Sequence, residues 1–176
     1  MPSVRTGLVR LRRVPTEDAG RRELNDRDLE VLELVASGGT RDEISRALGI
    51  APGTVASRMA RIYRALGARN APHAVALAHG CGVMSECPAP PALRLSRRER
   101  QVLAGLAHGL TSEQMAVHLS VSHETVKTHL QRAYRKLGVS CRANAVDKAI
   151  RGRLLAVVVD TDGTAARRGL GVAAAR

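Results

Sequence analysis

The feature that most constrains this chain is that it repeats itself. Sliding the sequence by 71 residues, the distance from Leu24 to Leu95, superposes Val31-Leu32 on Val102-Leu103, Gly38 on Gly109, Thr40 on Thr111 and Leu48 on Leu119. The same shift superposes Thr54-Val55 on Thr125-Val126, Tyr63-Arg64 on Tyr134-Arg135, Leu66-Gly67 on Leu137-Gly138 and Ala74-Val75 on Ala145-Val146, with no gap. Apolar, turn and capping positions all stay in phase, so the chain holds two copies of one small fold, residues 24–84 and 95–155. Residues 85–94 join them as a proline-stiffened linker, residues 1–23 form a basic N-terminal arm, and residues 156–176 form a C-terminal tail. Copies this small need small cores. With Tyr63 and Tyr134 as the only aromatic residues, those cores must be filled by Leu, Val and Ala, which excludes a large enzyme cavity.

Within the second copy, Ser122 to Val139 reads as one amphipathic helix. Ser122 is a capping residue, Val126, Leu130, Ala133 and Leu137 make an apolar stripe, and Gly138 ends it. The opposite face carries Glu124, Lys127, Thr128 and Gln131, with Arg132 and Arg135 beside them. Upstream, Ser96-Arg-Arg-Glu99 and Thr111-Ser-Glu-Gln114 are capping boxes that open two shorter helices. The Ser120-Val-Ser122 turn then gives helix-turn-helix geometry, and a last helix from about Arg142 closes the bundle with Val146 and Ile150. The predicted fold class is all-α: two tandem four-helix helix-turn-helix domains joined by a Pro-rich linker.

The second copy resembles the LuxR-type (NarL/FixJ class) DNA-binding family. The likeness rests on Leu95-Ser-Arg-Arg-Glu99, Val102-Leu103, Gly109, Glu113, Ala116, Leu119, Val121-Ser122, Thr125-Val126-Lys127, His129, Lys136-Leu137-Gly138-Val139, Arg142 and Ala145-Val146. That resemblance implies a recognition helix in the major groove of double-stranded DNA. Lys127, Thr128 and Gln131 then stand nearest base edges, with Glu124 on the same face, and Thr111, Ser122, Thr125, Arg132 and Arg135 nearest phosphates. His129 and Lys136 match positions near the backbone or supporting the helix. Chemistry fits these roles: Lys donates to guanine, Gln bonds adenine in two places, and Arg and Thr hold phosphate without reading sequence. Cys141 stands where the family has Asn or Ser as a cap.

The first copy departs from this pattern at the reading face, where Gly53, Ala56, Ser57 and Ala60 replace Glu124, Lys127, Thr128 and Gln131. Its apolar stripe, Val55, Met59, Ile62 and Leu66, is kept. Arg58, Arg61 and Arg64 are expected to give secondary contacts to the DNA backbone. Pro72 to Ala78 is apolar on nearly every side and calls for a partner, so Val75, Leu77 and Ala78 are dimerisation candidates. This copy is expected to pair chains into a homodimer or to pack on copy two. A rival arrangement is an intrachain pseudo-dimer on adjacent half-sites.

Charge agrees with a polyanionic partner. The formal net charge is +12, of which the second copy holds +7 and the first +1. No segment is long and apolar enough to span a bilayer, no signal peptide is evident, and a cytoplasmic location is expected. Cys81, Cys87 and Cys141 lack a CxxC pair, and His79, Cys81 and Cys87 are too irregularly spaced for a metal site, so neither metal nor cofactor is expected. No phosphate loop or activated nucleophile argues for an enzyme. The leading expectation is a sequence-specific transcriptional regulator; the alternatives are an interaction module or sigma-like factor acting on RNA polymerase. Leu154 to Val159 either extends the last helix or forms a strand pairing with Leu8–Arg12 or another chain.

Overall fold

The computed structural model describes residues 8–12, 24–84 and 94–160. The Pro-rich linker, and most of the arm and tail, lie outside the described residues.

Copy one is built from α1 (Asp26–Ala36), α2 (Arg41–Leu48), α3 (Pro52–Leu66) and α4 (Ala71–Gly80). Copy two repeats the order with α5 (Arg97–Ala107), α6 (Ser112–Leu119), α7 (His123–Leu137) and α8 (Arg142–Arg151). The start signals read from the sequence are the ones in use. Ser96 and Glu99 cap α5 reciprocally and Thr111 and Gln114 do so for α6; Thr40 and Glu43, not singled out above as a pair, form the same box for α2. The Ser122 hydroxyl accepts the Thr125 N–H at the start of α7. α3 lacks a side-chain cap, since Ala51 precedes Pro52. At Cys141 the sulfur does the capping, accepting the Asn144 N–H at 3.4 Å.

Each copy buries its own stripe: Val55, Met59, Ile62 and Leu66 in the first, Val126, Leu130, Ala133 and Leu137 in the second. The two cores meet through α4 and α8, which pack on each other, while α4 also touches α5 and α8 touches α1. The contact has pseudo-two-fold character. Gly38 and Gly109, at equivalent positions, both adopt positive φ (98° and 73°). A Cβ on Gly38 would stand 2.7 Å from Asn144 Nδ2, and one on Gly109 would stand 3.1 Å from His73, and Asn144 and His73 are themselves equivalent positions. Each copy therefore offers the other the same notch. Asn70 Nδ2 donates to the Gly109 carbonyl at 3.0 Å, and Asn144 Nδ2 donates to the Ser37 carbonyl at 2.5 Å.

Of the two arrangements expected of copy one, the chain adopts packing on copy two. Val75, Leu77 and Ala78 are fully buried within the single chain. An apolar helix wants cover, and the other copy of the same chain supplies it. The Leu154–Val159 run resolves as β2 (Ala156–Asp160), paired in parallel with β1 (Leu8–Arg12), Leu8 opposite Ala156 and Arg12 opposite Asp160. β2 also lies against α4. Among the described residues, no helix is long and apolar enough to cross a membrane.

Candidate nucleic-acid interface

The exposed face of α7 is built by its own stripe. Because Val126, Leu130, Ala133 and Leu137 are buried, the residues between them at helical spacing must point outward. Lys127, Thr128, Gln131, Arg132 and Arg135 are exposed, Thr125 and His129 are half-buried, and Ser122 and Glu124 stand exposed at the N-terminal end. Thr111 is exposed at the start of α6 beside it.

Local bonds hold this face in order. Lys127 Nζ lies 2.9 Å from Glu124 Oε1, which draws the Glu124 carboxyl below its usual range. Both groups are half-exposed or more, so water screens the pair and Lys127 is cheaply released to another acceptor. The Thr128 hydroxyl donates to the Glu124 carbonyl at 2.9 Å, and the hydroxyls of Ser122 and Thr125 lie 2.8 Å apart. His123 Nε2 sits 3.2 Å from Glu113 Oε1, tying the start of α7 to α6. Gln131, Arg132 and Arg135 carry no side-chain hydrogen bond or ion pair among the described residues and extend into solvent from a copy with net charge +7.

Lys136 is placed differently. Its Nζ lies 2.8 Å from Glu99 Oε2 and 3.3 Å from the Arg94 carbonyl, and Glu99 is 4% exposed. Burial works against the Glu99 charge, but Lys136 and the Ser96 N–H outweigh it and hold the carboxyl below its usual range. Of the two roles open to Lys136, its geometry is that of support: it fastens α7 to the start of α5.

The matching position in copy one is Asp28, 2% exposed. Two arginines of α3 converge on it: Arg58 Nη1 at 3.4 Å and the Arg61 guanidinium in direct contact. These cations were expected at a phosphate backbone, yet they neutralise a buried acid of their own domain. Arg64 alone of the three stays exposed without such a partner among the described residues. Gly53, Ser57 and Ala60 are exposed and Ala56 half-buried on the α3 face, so nothing long projects from it. Sequence reasoning missed the buried acids, although Asp28 and Glu99 recur at one register, each as the third helical residue after its cap.

Among the described residues no cluster of His, Cys, Asp or Glu could hold a metal ion.

Comparison with known proteins points one way. Residues 22–78 and 93–149 each match the GerE family, described as bacterial regulatory proteins of the luxR family, and together they cover more than half of the chain. A probable transcriptional regulatory protein NarL of Mycobacterium tuberculosis (strain ATCC 25618 / H37Rv) is 51% identical over 74 residues, which are 42% of this chain and 34% of the relative. A probable transcriptional regulatory protein SgaR of Hyphomicrobium methylovorum is 52% identical over 56 residues, 32% of this chain and 26% of that protein. The chain thus spans about a third or less of the curated relatives it matches. No solved structure is significantly similar to it.

Proposed function

Because this chain belongs to the luxR family of bacterial regulatory proteins, we propose that it is a sequence-specific DNA-binding transcriptional regulator with a single reading helix, α7. Copy one acts as a partner fixed within the same chain, and the duplex site is read on one side only. The observation that carries this is the contrast between two helices of equal register. α7 extends Lys127, Gln131, Arg132 and Arg135 into solvent, whereas α3 presents Gly53, Ala56, Ser57 and Ala60 and commits Arg58 and Arg61 to Asp28. Lys127 and Gln131 donate to base edges in the major groove, and Arg132 and Arg135, with the hydroxyls of Thr111, Ser122 and Thr125, hold phosphates.

The reading of copy one as a free interaction module for RNA polymerase is less well supported, because the apolar helix it relied on is covered by α8. The NarL and SgaR relatives, each named a probable transcriptional regulatory protein, support the DNA-binding reading.

A salt-titrated binding assay tests the assignment. Lys127→Ala and Gln131→Ala should each weaken binding to the preferred duplex by about 1–3 kcal/mol and leave non-specific binding nearly unchanged. Arg132→Ala should weaken all duplexes alike and lower the salt slope by about 0.9. Equal losses on preferred and random duplexes for Lys127→Ala and Gln131→Ala would contradict the reading.

A further inference from the structure

The α4–α8 contact is symmetric in its backbone and small residues but not in its charges. Asp147 of α8 is buried, with Oδ1 2.8 Å from His79 Nε2 of α4 and with Arg151 Nε 2.8 and 2.9 Å from its two oxygens. The His79 side chain is 5% exposed. Under the 71-residue shift, the counterparts of Asp147, His79 and Arg151 are Ala76, Ile150 and Gly80. None of these ionises, so the cluster exists once per chain where a true two-fold would have it twice.

We propose that the α4–α8 surface is a heterotypic lock that accepts the other copy of the fold and rejects the like helix of a second chain. If two α8 helices met in the same geometry, each buried Asp147 would face Ile150 and lose its histidine partner. If two α4 helices met, each His79 would face Ala76 with no acid opposite. Only α4 against α8 satisfies Asp147 from both sides, with Arg151 on its own helix and His79 across the contact, and losing a buried hydrogen bond to a carboxylate is penalised because both groups stay out of water without that partner. A second chain could make the same bond only by exchanging copies reciprocally, against which the short connection between Met84 and Leu95 sets an effective concentration on the order of millimolar. The partner fitted to this surface is therefore the other half of the same chain, and the unit that meets a duplex carries one α7.

The inference deepens the within-chain pairing of the proposed reading, and its test uses no DNA, so either can fail alone. The full chain is prepared with a protease site in the linker, cut after folding, and the paired copies are counted by native mass spectrometry after incubation. The lock predicts mixed pairs at least tenfold above the statistical two-to-one-to-one ratio. His79→Ile with Asp147→Ala, which installs the mirror residues, should bring the ratio to within about twofold of statistical. Asp147→Asn, which keeps the side-chain shape, should lie between, and circular dichroism of the uncut chain checks that each variant is folded. Statistical pairing of the wild-type halves, their separation into unpaired copies, or an unchanged ratio in folded variants would overturn the proposal.

Discussion

Replacing Lys136 by Met removes a charge while keeping an unbranched aliphatic stem of similar length. The ammonium group lost is the one 2.8 Å from Glu99 Oε2, and Glu99 is 4% exposed. A hydrogen bond to a buried charged group contributes about 1.5–3 kcal/mol. Because the Lys136 side chain is 41% exposed, solvent screening places the expected loss near the lower end, about 1.5–2 kcal/mol. Glu99 keeps the Ser96 N–H at 2.6 Å, so the start of α5 stays capped. For a chain of this size the loss corresponds to a Tm lower by roughly 3–8 °C. It is largest above the ordinary carboxylate range and shrinks as acid protonates Glu99, whose folded pKa is lowered and whose stabilising charge disappears on that side. Thermal unfolding at neutral pH measures the first effect, and duplex binding at several salt concentrations measures whether Lys136 also touches phosphate. The support role predicts an unchanged salt slope for the folded variant. A Tm within about 1 °C of wild type, with a slope lower by about 0.9, would refute it and return Lys136 to the DNA backbone.

Three further outcomes follow from the same contacts. His73 is buried at the junction of the copies, and burial first, then Arg69 and His108, lower its pKa to about 4. The unfolded chain takes up that proton near pH 6.5 and the folded chain does not, so stability falls as pH drops through this window. The loss attributable to His73 is about 2 kcal/mol between pH 7.5 and pH 5, and urea unfolding of His73→Asn should lack it. Arg58→Ala with Arg61→Ala strands Asp28 and should cost about 2–3 kcal/mol of stability in chemical denaturation while leaving the salt slope of DNA binding unchanged. Grafting the reading residues onto α3, as Gly53→Glu, Ala56→Lys, Ser57→Thr and Ala60→Gln, should produce selection of a second specified half-site. A Cβ at Gly53 meets nothing within 4 Å, and the other three positions are exposed or half-buried, so the graft fits the fold.

What the sequence made legible was what is local or periodic. The repeat placed eight helices because caps, stripes and stop glycines lie within a few residues of one another, and Ser96, Thr111 and Ser122 cap where their spacing says they should. The α7 face followed from its stripe alone. Partner choice did not. Pro72 to Ala78 announced a helix needing cover, but local pattern carries no information on whether that cover is α8 of the same chain or another molecule. The bond that selects α8 joins His79 to Asp147, 68 residues away. Helical spacing likewise showed that Arg58 and Arg61 face outward from the core of α3, not that Asp28 of α1 would meet them there. Lys136 was legible only as far as two alternatives, backbone contact or support of the helix: its position on the helix was readable, its acceptor Glu99 was not. The Leu154–Val159 run was ambiguous because a strand needs a neighbour, and that neighbour, Leu8–Arg12, lies at the opposite end of the chain.

The most direct test of the central claim is selection from a pool of random duplexes by the intact chain, with the Lys127→Ala/Gln131→Ala variant run in parallel. A single reading helix predicts one specified, non-palindromic half-site for the wild type and loss of base preference at its centre in the variant. Enrichment of a palindrome by the wild type, or the same preferred sequence from both proteins, would contradict it.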